Sequence, residues 1–300
     1  MSWGLHSLLV ATLPYLPKRL VGLFARRYIP GETEHDALVV TEDLNRQGFE
    51  VTLDILGEHV QHESEAAGVA AAYVHLYHSI AERGLRANVS LKPTHLGLDL
   101  GFQIGEANLA QVLDAAAATD NFMRLDMEDS RRTDDTLVLY RDCLQRYPWV
   151  GPVLQAYLHR SRDDLAALMS PQLNVRLCKG IYLESPDVAL QDEQAIRDNY
   201  LALVHQGFEG GAYLAIATHD RALIDAVEAH IRSRNIPPSR FEFQVLYGVP
   251  MAGKLEALLT KGYTVRVYLP FGETWYDYSL RRLQENPKMV RYILRNLLRK

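Results

Sequence analysis

Four polar side chains near the C-terminus share one face of a predicted helix. They are Tyr278, Arg281, Arg282 and Glu285, spaced at i, i+3, i+4 and i+7. Two adjacent guanidinium groups present planar forks of hydrogen-bond donors, which suit a carboxylate or a phosphate. The segment could equally be a solvated charged face in which Arg281 and Glu285 form an i,i+4 ion pair. The spacing alone leaves both interpretations open.

Further polar side chains stand at the ends of predicted strands. Lys92 follows one strand, Asp126 ends another, and Arg176 lies in an apolar run where an unpaired cation would be costly. The two arginines and Lys92 predict a site for a small anionic substrate, with Asp126 as the counter-charge. A second group suits a phosphate-bearing cofactor and its hydrogen bonds: Arg176, Lys179, Gly180, Gln155, Gln244, Thr218 and His219.

Each of these residues also has a structural interpretation. Lys92 could be a surface lysine, Asp126 a turn cap and His219 a helix cap. The two glutamines could satisfy buried backbone groups. A purely structural explanation would require successive strands to carry polar groups at the same end by chance, so the set favours a functional site.

The elements that must position these residues form a repeating pattern. Eight short apolar runs, mostly without polar alternation, predict parallel strands at 50–56, 87–91, 122–127, 153–157, 174–177, 213–217, 241–245 and 264–269. Helical patterns separate them, at 64–83, 106–119, 134–146, 162–169, 192–206, 221–234 and 252–261. This series predicts an α/β protein with a TIM-like (β/α)₈ barrel, in which the C-terminal strand ends carry the active site. A doubly wound open sheet is the alternative. We predict an N-terminal helical extension over 1–49 and a catalytic barrel over 50–300.

Composition and missing motifs argue against several functional classes. A net charge of −5 argues against nucleic acid as the main partner. Cys143 and Cys178 lack metal-ligand spacing and are typical of reduced thiols in a cytosolic protein, so no metal site is predicted. No Gly-x-Gly-x-x-Gly follows a strand, which disfavours a Rossmann dinucleotide site, and no Gly-x-Ser-x-Gly nucleophile elbow occurs.

The first 27 residues combine an apolar segment with basic residues that follow it. This order is wrong for a secretory signal, and no run of 18 apolar residues occurs in the chain. We expect a cytoplasmic protein whose first helix docks on the body of the fold. Peripheral contact with the inner face of the membrane is the alternative.

The ordered set of motifs resembles the proline dehydrogenase family in its monofunctional bacterial form. The strongest match is Tyr278-x-x-Arg281-Arg282-x-x-Glu285-Asn286. Val175-Arg176-Leu177-x-Lys179-Gly180, Thr218-His219 and Asp126-x-Glu128 reinforce it in the same order. Each motif is modestly specific, but the ordered set is highly specific and covers roughly residues 40–290.

The resemblance implies a distorted barrel that binds FAD without a covalent bond. It matches Lys92, Arg281 and Arg282 to the residues that bind the proline carboxylate. Tyr268 and Tyr278 match the side chains that wall the substrate ring. These assignments predict a compact site for one small amino acid.

The resemblance also implies catalytic and cofactor-binding residues. Asp126 matches the acidic residue beside Lys92 and the flavin, and Arg176 matches the arginine near flavin N5. Flavin or adenosine contacts are implied for Met127, Gln155, Lys179, Gly180, Ile181, Thr218, His219 and Glu285. The chain departs from the family at Ile181-Tyr182-Leu183, where relatives often have Ala-Tyr-Trp.

The activity that the resemblance implies is oxidation of L-proline to Δ1-pyrroline-5-carboxylate, with electrons passing from FAD to a quinone. A separate pyrroline-5-carboxylate dehydrogenase would catalyse the second oxidation, because this chain has no aldehyde dehydrogenase half. One alternative is another barrel flavoenzyme, such as a methylenetetrahydrofolate reductase with an NAD(P)H donor. The other is a non-catalytic barrel that senses proline.

Overall fold

Nine parallel strand segments form the centre of the computed structural model, which describes residues 28–276 and 278–279. They are β1 (Glu50–Ile55), β2 (Ala87–Leu91), β3 (Met123–Leu125), β4 (Val150–Gly151), β5 (Val153–Gln155), β6 (Asn174–Cys178), β7 (Tyr213–Ala217), β8 (Phe241–Leu246) and β9 (Thr264–Phe271). Their hydrogen-bonded order is β4-β3-β2-β1-β9-β8-β7-β6-β5. β4 and β5 stand at the two ends of this order, and only Pro152 separates them in sequence. The sheet therefore curls into a barrel.

Pro152 divides the fourth barrel strand into the two short segments β4 and β5. Proline has no backbone N–H, so it cannot donate a hydrogen bond in the sheet. Its carbonyl still accepts hydrogen bonds at 3.0 Å from the backbone of Arg176 and from the side chain of Arg124. β4 pairs with β3 and β5 pairs with β6. The prediction of a distorted eight-stranded (β/α)₈ barrel is therefore confirmed.

Helices connect the strands, as parallel pairing requires. Within the described residues the α-helices are α1 (Glu34–Arg46), α2 (Glu63–Glu82), α3 (Phe102–Ala118), α4 (Thr133–Arg146), α5 (Ser161–Leu168), α6 (Glu193–Glu209), α7 (Arg221–Ser233) and α8 (Lys254–Thr260). Short 3₁₀ helices occupy Pro93–Leu96, Ser130–Arg132 and Pro238–Arg240. No helix in this part of the chain has both the length and the apolar character to cross a membrane.

Helix α3 begins at Phe102, four residues before the predicted start at 106. Gly105 weakens the helical signal of the sequence, because glycine is a poor helix former. Here a side chain at this position would bring its Cβ within 3.0 Å of the Leu98 backbone. Close packing, rather than helix propensity, therefore explains this glycine.

Apart from β7, the strands of five or more residues alternate polar and apolar residues, contrary to the prediction of strands without alternation. In β8, Phe241, Phe243 and Val245 join the hydrophobic core, whereas Glu242 and Gln244 are buried polar residues between them. Successive side chains of a strand point to opposite faces. One face of each strand therefore packs on the helices, and the other face points into the barrel.

Hydrogen bonds between strands that are not neighbours show that the barrel interior is polar. Arg124 on β3 donates to the Asn174 side chain on β6 at 2.6 Å. Arg176 on β6 donates to Ser90 on β2 at 3.0 Å. Such pairs can meet only across the interior. The barrel lumen is thus filled by a hydrogen-bonded polar network, and the apolar core lies between the barrel and its helices.

Helix α1 belongs to the same core as the barrel. Thr33 and Asp36 form a capping box that begins the helix. Ala37 and Leu38 are fully buried in the cluster that also contains Val51 of β1. Helix α1, which lies in the predicted N-terminal extension, therefore packs into the hydrophobic core of the barrel.

Candidate active site

A cavity of about 420 Å³ opens at the C-terminal ends of the strands. All predicted site residues within the described part of the chain line it, namely Lys92, Asp126, Met127, Gln155, Arg176, Lys179, Gly180, Ile181, Thr218, His219, Gln244, Tyr268 and Tyr278. Arg281, Arg282 and Glu285 lie outside the described residues. The structure thus brings residues from seven different strand ends, together with Tyr278, to one place.

Arg176 is the most extensively bonded cation of the cavity. Its Nη1 donates to Asp126 Oδ1 at 2.6 Å and to Ser90 Oγ at 3.0 Å. Its Nε donates to Gln244 Oε1 at 2.6 Å. Charge-assisted hydrogen bonds of this kind are short and directional. They fix the plane of the guanidinium group at the wall of the cavity.

Asp126 joins Arg176 to Tyr268. The second carboxylate oxygen of Asp126 accepts a hydrogen bond from the Tyr268 hydroxyl at 2.9 Å. The Arg176 guanidinium carbon also lies 5.2 Å from the centre of the Tyr268 ring, a cation–π distance. Burial and the neighbouring Asp126 carboxylate raise the pKa of Tyr268 well above its usual value. The phenol therefore stays protonated and acts as a donor.

Asp126, predicted as the counter-charge of the cationic cluster that includes Lys92, is not the residue to which Lys92 hydrogen-bonds. Lys92 Nζ donates to Asp54 Oδ2 at 2.9 Å instead, and Asp54 also accepts from the Tyr73 hydroxyl at 3.3 Å. Burial alone would lower the pKa of Lys92, but Asp54 and then Asp126 outweigh it and raise that pKa. Lys92 is therefore a charged ammonium group at the cavity.

Asp54 is a site residue that the sequence analysis missed. It lies in β1, is almost completely buried, and lines the cavity. The available signal was its place in Glu50-Val-Thr-Leu-Asp54-Ile, where a carboxylate follows the period of two of an inward-facing strand. A buried carboxylate in a strand requires a partner, so this pattern marks Asp54 as a site candidate without identifying Lys92 as that partner.

Glu128 supports the backbone that follows Lys92. Its carboxylate accepts hydrogen bonds from the backbone N–H of Thr94, at 3.0 Å, and from the Thr94 hydroxyl. Glu58, His59 and Glu128 also place one possible metal ligand each within 4.8 Å of one another, an arrangement that the sequence patterns did not indicate. The hydrogen bonds to Thr94 account for Glu128 without a metal.

On the other side of the cavity, Lys179 belongs to an ion-paired group. Its Nζ lies 2.7 Å from Asp220 Oδ2, which also accepts from Arg197 Nε at 2.7 Å. Burial raises the pKa of Asp220, but these two hydrogen bonds outweigh it and bring the pKa to about 2. Arg197 also lies 3.5 Å from Glu193 Oε2, so two cations are matched by two carboxylates, and Lys179 is the cation of this group that lines the cavity.

Gly180 and Gln155 shape the adjacent wall. Gly180 has φ +104, and a Cβ atom there would lie 2.0 Å from the Tyr157 ring. Gln155 Oε1 is buried and has no hydrogen-bond partner among the described residues. His219 Nε2 accepts from the Leu246 backbone N–H at 2.8 Å, which fixes the ring against β8. The Tyr157 ring therefore packs directly on Gly180, and the wall offers an unused acceptor at Gln155.

The loop that follows Gly180 exposes apolar side chains. Ile181 is 39% exposed, and Leu183 is completely exposed. Only Ile181 and Tyr182 of this departure from the family pattern line the cavity. Leu183, which stands where relatives often have tryptophan, therefore does not contribute to the cavity wall in the described structure.

The lowered pKa of the buried His95 ring predicts a measurable pH dependence of the free energy of unfolding. Burial, followed by the nearby Lys92 charge, lowers the pKa of His95 from 6.5 to about 4, and its Nδ1 has no hydrogen-bond partner within the described residues. The folded chain holds this ring neutral, so its contribution is complete above pH 6.5 and is lost as the pH falls towards 4. We expect a loss of roughly 3 kcal/mol in the free energy of unfolding.

Urea denaturation at about pH 7 and about pH 4 measures this loss. The His95→Asn variant should lose less stability over the same interval, because it lacks the titrating ring. His78, which is exposed on α2, provides the matched control. An equal pH dependence in the wild type, His95→Asn and His78→Asn would contradict the prediction.

Comparison with known proteins adds independent information about this chain. The family model described as "Proline dehydrogenase" matches residues 37–293. "Proline dehydrogenase 1" from Bacillus subtilis is 37% identical over 278 residues, which cover 93% of this chain and 92% of that protein. "Proline dehydrogenase" from Deinococcus radiodurans is 35% identical over 280 residues, which cover 92% and 90%.

A solved structure shares the fold. The crystal structure of proline utilization A (PutA) from Bdellovibrio bacteriovorus, inactivated by N-propargylglycine, matches with a TM-score of 0.81 and 27% sequence identity. The match covers 87% of this chain and 32% of that chain. The family model spans most of the chain, and the curated relatives are similar over nearly their full lengths. The chain therefore belongs to the proline dehydrogenase family.

Proposed function

We propose that this chain is a flavin-dependent oxidoreductase that converts L-proline to Δ1-pyrroline-5-carboxylate. The main support is one cavity that combines a charged Lys92 with the Arg176–Asp126–Tyr268 group at the C-terminal end of a barrel. Active sites of such barrels lie at this end. Family membership makes proline the expected substrate.

The substrate half of the cavity would bind proline by its carboxylate. Lys92 offers a charged ammonium group that is only 16% exposed, so its attraction for an anion is weakly screened by water. Tyr268 and Tyr278 line the same region and would wall the ring. Arg281 and Arg282, outside the described residues, would complete the clamp by the resemblance alone.

The second half of the cavity has features that fit a flavin dinucleotide. Gln155 carries an unused buried acceptor, and Gly180 lines the cavity in a backbone conformation that, with the Tyr157 ring behind it, leaves no room for alanine. Lys179, which lines the cavity beside Asp220, would hold a phosphate. The remaining proposed contacts are Met127, Ile181, Thr218, His219, Gln244 and Glu285. When bound, FAD would accept the hydride that leaves C5 of proline.

The residues of the chain would contribute orientation and charge. Lys92 would fix the carboxylate, and this constraint places C5 at a defined distance from the cofactor site. The same cation favours the neutral form of the substrate amine, because like charges repel. Arg176 would stabilise negative charge that develops during hydride transfer, from a position that its hydrogen bonds already hold.

We extend the proposal to the partners of the reaction. A quinone would accept the electrons, and a separate pyrroline-5-carboxylate dehydrogenase would use the product. Contact of the N-terminal segment with the inner face of the membrane would bring the chain close to a lipid-soluble acceptor. That segment lies outside the described residues.

Anaerobic addition of L-proline to the purified, FAD-loaded chain tests the proposal. We expect the visible flavin absorbance to bleach with proline but not with D-proline or NADH. Bleaching by NADH alone would support the reductase alternative. A bound flavin that neither donor reduces would overturn the proposal and favour a proline sensor.

Gly180→Ala is expected to weaken FAD binding by at least about tenfold, since the methyl group meets the Tyr157 ring and positive φ is strained for alanine. Gly211→Ala is the matched control, because Gly211 has φ +89 but no atom within 4 Å of its Cβ position. FAD titration and the flavin retained per chain after gel filtration measure the effect. Equal flavin retention by the two variants would show that Gly180 is not close to the cofactor.

A further inference from the structure

A second buried ion pair lies directly below the cavity and does not line it. Arg266 on β9 donates from Nε to both carboxylate oxygens of Glu242 on β8, at 3.0 and 2.9 Å. Glu242 is 3% exposed. Burial alone would raise its pKa, but Arg266 outweighs this and holds the pKa below its usual value. Glu242 is therefore a fixed negative charge inside the barrel.

This ion pair continues upward to the proposed catalytic arginine. Gln244 donates from Nε2 to Glu242 Oε1 at 2.5 Å and accepts from Arg176 Nε at its own Oε1, at 2.6 Å. The Gln244 NH₂ group therefore donates to Glu242, while the Gln244 oxygen accepts from Arg176. The network runs from Arg266 through Glu242 and Gln244 to Arg176.

The order of donors and acceptors gives Glu242 a specific effect. An amide can turn over and exchange its oxygen and nitrogen, and a turned amide would present N–H groups to the Arg176 guanidinium, which is itself only a donor. The Glu242 carboxylate accepts only, so it holds the Gln244 NH₂ group downward and its oxygen upward. The deep ion pair thereby selects the one amide orientation that binds Arg176.

We propose that Glu242, anchored by Arg266, is a positioning residue that acts through Gln244 to orient Arg176. This inference rests on the proposed proline oxidation for its kinetic consequence, but its geometric content does not. Glu242 touches neither the cavity nor any residue proposed to bind proline directly. Its expected effect is on the rate of hydride transfer rather than on substrate binding.

The Glu242→Gln variant tests this inference by separating the two kinetic constants. We expect the limiting rate of flavin reduction by proline to fall about tenfold and KM to change less than about twofold, because one orienting hydrogen bond is weakened. Glu228→Gln is the matched control, since Glu228 is equally buried and pairs with Lys254 and Lys261 away from the cavity. Equal rates for the two variants would overturn the proposal.

A double-mutant cycle tests the path through Gln244. In a Gln244→Met background, Glu242→Gln should change the reduction rate less than about twofold, because the connection to Arg176 is already lost. Additive effects of the two substitutions would show that Glu242 does not act through Gln244. If Glu242→Gln does not fold, Arg266→Lys weakens the anchor instead, and an unchanged reduction rate in that variant would likewise overturn the proposal.

A crystal structure of Glu242→Gln gives a readout that does not depend on proline oxidation. We expect the hydrogen bond between Gln244 Oε1 and Arg176 Nε to be lengthened or lost. An amide that remains in its original orientation, with the 2.6 Å contact intact, would overturn the proposal. If proline does not reduce the flavin bound to the wild-type protein, the proposed function is refuted. The structure of the Glu242→Gln variant would still decide whether Glu242 orients Gln244.

Discussion

Lys92→Met is expected to lower kcat/KM for L-proline about 100-fold, mainly through KM. The variant removes a charged donor that is 16% exposed, and such hydrogen bonds to a carboxylate contribute about 2–3 kcal/mol. It also leaves Asp54 without its partner at 2.9 Å. Burial already raises the pKa of Asp54, and loss of Lys92 would raise it further. The variant would therefore hold a buried Asp54 carboxyl group without its cationic partner.

Binding of cyclopentanecarboxylate separates carboxylate recognition from loss of stability. This ring compound keeps the carboxylate but cannot be oxidised at an amine, so its Kd should rise in parallel with KM for proline. Lys254→Met is the matched control, because the Lys254 side chain is 11% exposed and pairs with Asp225 and Glu228 away from the cavity. If Lys92→Met and Lys254→Met bind the analogue equally well, Lys92 does not bind the carboxylate.

The fold was accessible from sequence because the strand and helix patterns are strong. Every predicted strand overlaps an observed one, and the main difference is the break at Pro152, where a missing N–H interrupts the ladder. The prediction began helix α3 four residues too late, because glycine is a poor helix former. In the structure, close packing at Gly105 outweighs that low propensity. Local propensity thus predicted the elements, and tertiary contacts set their boundaries.

The residues around the cavity were also predictable, but their pairing was not. Asp126 was expected near Lys92, and the sequence did not indicate that its hydrogen bonds come from Arg176 and Tyr268 across the barrel. Strand order brings side chains 38 to 142 residues apart into contact, and no local pattern encodes which carboxylate meets which cation. Asp54 was missed for this reason, although the alternation of β1 marks it as inward-facing.

The depth of each polar residue in the barrel could not be read from spacing either. Arg176 and Gln244 line the cavity, whereas Glu242 and Arg266 lie one layer below them. All four stand in similar apolar runs of the sequence. Only the stagger of neighbouring strands assigns one pair to the cavity and the other to its support.

Arg176→Met is expected to slow flavin reduction by proline about 100- to 1,000-fold, with a much smaller change in KM. A preorganised cation that faces developing negative charge typically contributes about 2.7–4 kcal/mol to the transition state. The geometry supports this role, because Gln244, Ser90 and Asp126 hold the guanidinium before any reaction occurs. Stopped-flow absorbance over a range of proline concentrations measures both constants.

The Arg124→Met variant separates a specific effect of Arg176 on the reaction rate from the general effect of removing a buried arginine from the polar barrel interior. Arg124 is 1% exposed and bonds Asn174 and Pro152 inside the same lumen, but it does not line the cavity. Both variants remove a buried arginine, so both should unfold at lower urea concentrations. Only Arg176→Met should slow hydride transfer in the flavin-loaded protein. A similar loss of rate in the two variants would mean that the barrel network, rather than the position of Arg176, controls the reaction.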